Sequence, residues 1–166
     1  MKNVKYVLKI ALPLIMICTV CAAMLAGINA LTAPVIAENS AREKQAAIIN
    51  LFGDSGLSSQ EVACDVEGVN AVYTVTLSDG TVAHCADVVS SSKYGGAVNA
   101  MVSVVDGRAA NVQIISHSET FMSKYTDGNG KYTGVDCVSG ATYSFNAIKD
   151  AMRIAEAAVS AVGGAS

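Results

Sequence analysis

The sequence predicts an α+β fold, a mainly antiparallel sheet between helices, behind an N-terminal membrane anchor. Three observations predict it. Ile10 to Leu31 is a run of 22 residues without a charge, long enough as a helix to cross the roughly 30 Å hydrocarbon core of a bilayer. From Glu61 to Ser116 apolar residues recur at every second position between short Gly-containing turns, as half-buried antiparallel strands require. From Ile148 the spacing changes to three and four, the period of an amphipathic helix. Helices before and after such a sheet make a layered α+β arrangement.

The anchor comes first. Lys2, Lys5 and Lys9 precede the apolar run, and the first charge after it is Glu38. The positive-inside rule then puts the N-terminus in the cytoplasm and the body outside. Pro13 lies near the start of the run and Pro34 just beyond its end, so neither forbids a span. A cleaved signal peptide is the competing reading, but its apolar region should be only about 7 to 15 residues long. Residues 1–35 are therefore expected to be a cytoplasmic N-terminus and a transmembrane helix. Pro34 to Phe52 reads as a second helix, a stalk, with Asn39 or Ser40 as its cap and Ile36, Ala47, Ile48 and Leu51 among charged residues. Gly53-Asp54-Ser55-Gly56 ends it, so 36–58 is stalk and linker and 59–166 the extracytoplasmic domain.

Within that domain Val62 to Val66, Ala71 to Leu77 and Thr81 to Val89 read as strands, with Ser78-Asp79-Gly80 as a hairpin turn. Tyr73, Val75 and Leu77 share one face, opposite Val72, Thr74 and Thr76. Val98 to Val105 and Ala109 to Ser116 form a second hairpin on Asp106-Gly107, the strongest short turn signal in the chain. Between Ser116 and Val135 the pattern fades, and Asp127-Gly128-Asn129-Gly130 marks an exposed loop.

The chain is then organised by residues 136–144, Asp136-Cys137-Val138-Ser139-Gly140-Ala141-Thr142-Tyr143-Ser144. Ser139-Gly140 is a turn signal. Ile148, Ala151, Met152, Ala155, Ala158, Val159 and Val162 mark the apolar face of the helix that follows. Thr142 or Ser144 thus stands at a helix start, where a hydroxyl can cap free N–H groups. The same place attracts an anion such as a phosphate.

Composition bounds the function. Residues 1–37 hold three Lys and no acid, while the rest holds eight basic and fourteen acidic residues, a net charge of −6. A mildly acidic exterior domain lacks the basic face of a nucleic-acid binder. There is no G-x-G-x-x-G segment and no iron–sulfur cysteine set, so neither nicotinamide nor ferredoxin chemistry is indicated. Cys18 and Cys21 lie three apart on one face of the membrane helix, where a small apolar residue at a helix contact is the commoner meaning than redox or metal chemistry. Cys64, Cys85 and Cys137 lie outside the membrane; being three, they leave at least one thiol unpaired, and a Cys64–Cys85 disulfide stays open. His84 and His117 have no cysteine or histidine cluster around them; His117 reads as loop scaffolding.

The stretch from Asp136 to Thr142 resembles the flavinylation motif of the FMN-binding domain: Asp, two variable residues, Ser or Thr, then Gly-Ala-Thr. That domain occurs in the G subunit of the Rnf ion-translocating ferredoxin:NAD oxidoreductase and in the C subunit of the Na-translocating NADH:quinone reductase. Lys93-Tyr94-Gly95-Gly96 is similar to the Gly-Tyr-Gly-Gly of the Rnf subunit, the Asp-Gly hairpin follows it, and His117-Ser118-Glu119-Thr120 resembles the Ser-Glu-Thr-Pro-Gly-Leu-Gly segment. The elements stand in family order over roughly residues 60–160, and the anchor and stalk fit as well. The departure is that Phe121-Met122-Ser123-Lys124 follows Thr120 in place of Pro-Gly-Leu-Gly.

The resemblance implies covalent FMN on Thr142 through a phosphoester, installed by a separate flavin transferase. It implies that Ser139, Gly140, Ala141, Ser144, Tyr94, Gly95, Glu119 and Thr120 surround the cofactor. It implies an electron-transfer subunit of a membrane complex rather than an enzyme by itself, with the other Rnf-type subunits and the membrane as partners and ion transport as the purpose. A stand-alone extracytoplasmic flavoprotein and a flavin-free anchored binding or assembly domain are the alternatives.

Overall fold

A computed structural model describes residues 2–92 and 96–163, with side chains from Ala11 onward. The chain divides into two compact units, residues 1–42 and 43–166. The expected membrane helix and stalk helix run on as one helix, α1 (Lys2–Phe52), with Pro13 and Pro34 inside it. Asn39 and Ser40 therefore cap nothing, because no helix begins there. A proline removes one backbone hydrogen bond, and an apolar helix tolerates that loss where the chain on both sides remains helical.

In the first unit the large apolar side chains from Leu12 to Ile36, among them Leu14, Ile17, Leu25 and Leu31, are exposed. Thr19 and Thr32 turn their hydroxyls onto the carbonyls of Ile15 and Ile28, at 2.8 and 2.9 Å, so these side chains present no unsatisfied donor. The helix is long and apolar enough to cross a membrane. Farther along, Arg42 pairs with Glu38 at 2.7 Å, one turn apart.

The second unit is built on a five-stranded antiparallel sheet in sequence order: β1 (Ser58–Val62), β2 (Val69–Thr76), β3 (Val82–Ser91), β4 (Ala97–Val105) and β5 (Arg108–His117). The β4–β5 hairpin turns on Asp106 (φ 51°) and Gly107 (φ 74°), the two left-handed residues of a type I′ turn. The first strand falls earlier than Val62 to Val66. Ser58 to Val62 pairs with Val72 to Thr76 at the sheet edge, where both sides are largely exposed, so no apolar alternation marks it. His117, expected in the loop, closes β5 opposite Val98.

The two faces of the sheet have different covers. On one, Ala47, Ile48 and Leu51 from the last turns of α1 pack against Ala71, Tyr73, Val75, Cys85 and Met101. On the other, α2 (Thr142–Gly163) lays Ala147, Ile148, Ala151, Ala155 and Ala158 onto Val72, Ala86, Val88, Ala100, Val102 and Val112. The alanines keep α2 close to the sheet. The buried Ser90 hydroxyl donates to the Ala147 carbonyl at 2.8 Å, and the Ala109 N–H donates to Glu156 Oε1 at 2.8 Å, which fixes the register of α2 along the strands. Cys85 lies under α1 while Cys64 packs against the α2 side. The two sit on opposite faces, and all five cysteines are free thiols.

Candidate functional site

The Ser139–Gly140 pair forms a tight turn. The Ala141 N–H donates to the Val138 carbonyl at 3.0 Å and Gly140 has φ 81°, the signature of a type II turn, which needs a left-handed residue in its third position. Ser139 is exposed and Ala141 is buried. The Ala141 carbonyl accepts the first helical bond, from the Phe145 N–H at 3.2 Å, so Ala141 occupies the cap position and brings no side-chain acceptor to it. Thr142 is the first residue of α2, and its side chain is exposed. Its oxygen is the acceptor of the Cys137 thiol at 3.5 Å. Neither hydroxyl expected as a cap has been assigned that role by the fold: Ser144 is buried and donates to Glu119 Oε2 at 2.9 Å.

Beside this helix start lies a cleft of about 380 Å³, lined by Gly96, Ser118, Glu119, Thr120, Phe121, Gly140 and Tyr143. It joins three places distant in sequence: the entry to β4, the segment after β5, and the motif. Glu119 links them. One carboxylate oxygen takes the Ser144 hydroxyl, and the other lies where a Cβ on Gly96 would stand, so a larger residue at 96 would displace the Glu119 carboxylate. Before β4 the Ser92 N–H donates to the Gly96 carbonyl at 2.8 Å. Tyr94 and Gly95 lie outside the described residues. Gly140, Glu119 and Thr120 thus share one cleft, while Ser139, Ala141 and Thr142 are not among its lining residues, Thr142 lying in the chain between Gly140 and Tyr143, and Ser144 contacts the lining through Glu119.

A part of the site that the sequence does not announce is Tyr125. Where Pro-Gly-Leu-Gly is absent, a short 3-10 turn (Met122–Lys124) buries Met122 and Tyr125 completely. The Tyr125 hydroxyl accepts from the Val138 N–H at 2.9 Å and donates to the Ala141 carbonyl at 3.1 Å. It holds both ends of the turn that precedes Thr142. Its ring stacks on Phe145 with centroids 5.7 Å apart. The available signal was the Met122–Tyr125 spacing of three with a tyrosine that, once buried, requires a partner for its hydroxyl. Next to it, burial raises the Tyr132 phenol above its ordinary value, with a smaller contribution from the Asp136 charge.

These residues fit a flavin mononucleotide. A cleft of this size is within the range of small-ligand sites, with aromatic walls and a few polar groups. The start of a helix favours a phosphate beside it, and an exposed hydroxyl is there to carry one. Glu119 supplies the only carboxylate among the described lining residues.

Residues 93–157 match the FMN-binding domain. They include every residue of the cleft, Thr142 and Tyr125. Residues 1–50, nearly the whole of α1, match the RnfG N-terminal region. No curated protein matches the chain.

Proposed function

We propose that this chain, which carries an FMN-binding domain and resembles RnfG, holds FMN on Thr142 by a phosphoester and serves as an electron-transfer subunit of an Rnf-type membrane complex. The observation that carries the reading is the position of the Thr142 hydroxyl: exposed, on the first residue of α2, beside a cleft lined by its neighbours Gly140 and Tyr143. The Thr142 oxygen bonds to the phosphorus of an activated flavin phosphoanhydride supplied by the transferase, the anhydride P–O bond breaks, and the other phosphate leaves with the hydroxyl proton; no base adjoins Thr142 in sequence, which suits a separate flavin transferase. When bound, the flavin supplies one- and two-electron redox chemistry. The chain contributes the walls of the cleft, the helix start for the phosphate, and the Glu119 carboxylate held by Ser144.

The N-terminal lysines support an orientation with the N-terminus in the cytoplasm and the domain outside. There a dissociated cofactor would be lost by dilution, and a covalent tether removes that loss. On this reading residues 1–35 anchor the chain, 36–58 connect it, and 59–166 carry the flavin, with ion-translocating partner subunits in the same membrane.

The test is the intact mass of the full chain purified from membranes that also contain the flavin transferase. Wild type should carry an added mass of about 440 Da, as expected for FMN joined with loss of water, and Thr142→Ala should lack it. Unmodified wild type would overturn the assignment. Co-purification with other membrane and iron–sulfur subunits would support the complex, and isolation as a lone modified chain would favour the stand-alone flavoprotein instead.

A further inference from the structure

The hydroxyl of Tyr125 does more than satisfy a buried polar atom. It meets the backbone of the turn before Thr142 at both ends, Val138 N–H and Ala141 C=O. Ala141 is also the residue whose carbonyl opens α2. A shift of the hydroxyl therefore moves the turn and the first helical bond together.

Tyr125 is itself held from the sheet. Its N–H donates to the Met122 carbonyl at 2.9 Å, and its carbonyl accepts from the Thr133 N–H at 2.9 Å and the Thr133 hydroxyl at 3.1 Å. The loop between them is fastened along β5: the Tyr132 N–H donates to Val112, the Ile114 N–H to Gly130, and the buried Gln113 amide to the Asn129 carbonyl at 2.6 Å. Gly130 (φ 82°) is required there, since a Cβ would stand 2.9 Å from the Ile114 carbonyl oxygen. Hydrogen bonds and the chain between them thus connect β5, at the edge of the sheet, through Tyr125 to the residue before Thr142.

We propose that Tyr125 is a positioning residue for flavin attachment: its hydroxyl fixes the Ser139–Gly140 turn so that Thr142 is presented to the transferase in one shape. The inference rests on the reading of Thr142 as the attachment residue. A preorganised acceptor loop spares the transferase the cost of ordering it.

The full chain is co-expressed with flavin transferase, and incorporation is followed over time by in-gel flavin fluorescence and intact mass. Tyr125→Phe keeps the ring and removes both hydrogen bonds. It should incorporate flavin about 30-fold more slowly, the factor two ordinary hydrogen bonds give. In the flavin-free protein its Val138 amide should exchange with deuterium at least about 10-fold faster, while Ile148 and Ala151 in α2 exchange as in wild type. Phe145→Leu is the comparison: it loosens the stack on Tyr125 but leaves the hydroxyl, so it should lower thermal stability while Val138 protection and the rate of incorporation stay near wild type. An unchanged rate in Tyr125→Phe overturns the inference, as do equal losses of rate in both variants. Flavin on Thr142→Ala protein, or none on wild type, overturns the underlying assignment instead, and the inference with it.

Discussion

Replacing Lys44 with methionine isolates the ion pair that fastens the end of α1 to the sheet. Lys44 Nζ lies 2.8 Å from Asp87 Oδ2, and the Asp87 side chain is fully buried. At that distance the gross attraction is about 6 kcal/mol for an effective dielectric of about 20, most of it offset by desolvation. The larger effect is what the substitution leaves behind. Asp87 would keep one long hydrogen bond, from Asn70 at 3.3 Å, under an apolar cover of α1 side chains. Losing one partner of a fully buried pair costs about 3–5 kcal/mol; Lys44 retains 29% exposure, so screening brings the expected cost to about 2–3 kcal/mol. For a domain of this size that lowers Tm by roughly 10 °C, read by circular dichroism of the full chain in detergent. Adding Asp87→Leu should restore most of the loss, because an apolar pair of similar volume needs no compensation.

The pH dependence has a defined sign. The hydrogen bond with Asp87 raises Lys44 above its ordinary 10.5, against a smaller lowering by burial. Its contribution is whole below about pH 10.5 and is lost as pH rises through the folded value. Wild type should therefore lose an increment of stability above that pH that Lys44→Met does not lose, with the Cys85 contribution common to both. A Tm change under about 2 °C in Lys44→Met, or no recovery in the double variant, would refute the reasoning.

Two further outcomes follow from the fold. Gly140→Ala meets no neighbouring atom but must hold φ near 81°; backbone strain of about 1–2 kcal/mol should lower the melting temperature by several degrees and slow flavin incorporation at Thr142, both measurable in the assays above. Burial pushes the Cys85 thiol up to about 12, so iodoacetamide at pH 8 should label the exposed Cys137 in the native chain and reach Cys85 only in denaturant; peptide mass mapping that finds Cys85 labelled in the folded protein would contradict its placement under α1.

The parts of the molecule legible in its sequence are those set by local periodicity and local turns. The 22-residue uncharged run, the two hairpins on Gly80 and Asp106-Gly107, and the apolar face of α2 depend on neighbours within a few residues, and each is found where the spacing indicates. The edge strand Ser58–Val62 was not legible, because it is polar on both sides and is defined by its bonds to β2. The break expected between anchor and stalk was not realised either, since Pro34 removes one donor and the helix continues through it.

At the site the same division holds. The sequence by itself determined a turn followed by a helix with a hydroxyl at its start, for that is a matter of Gly140 and the period of the residues after it. Only the tertiary structure decided that Ala141 rather than Thr142 takes the cap position, that Ser144 faces Glu119, and that Tyr125 spans the turn. The contacts of Tyr125 and Ser144 join residues 13 to 25 positions apart. Chain spacing carries no information about such distances until the sheet and α2 have brought the segments together.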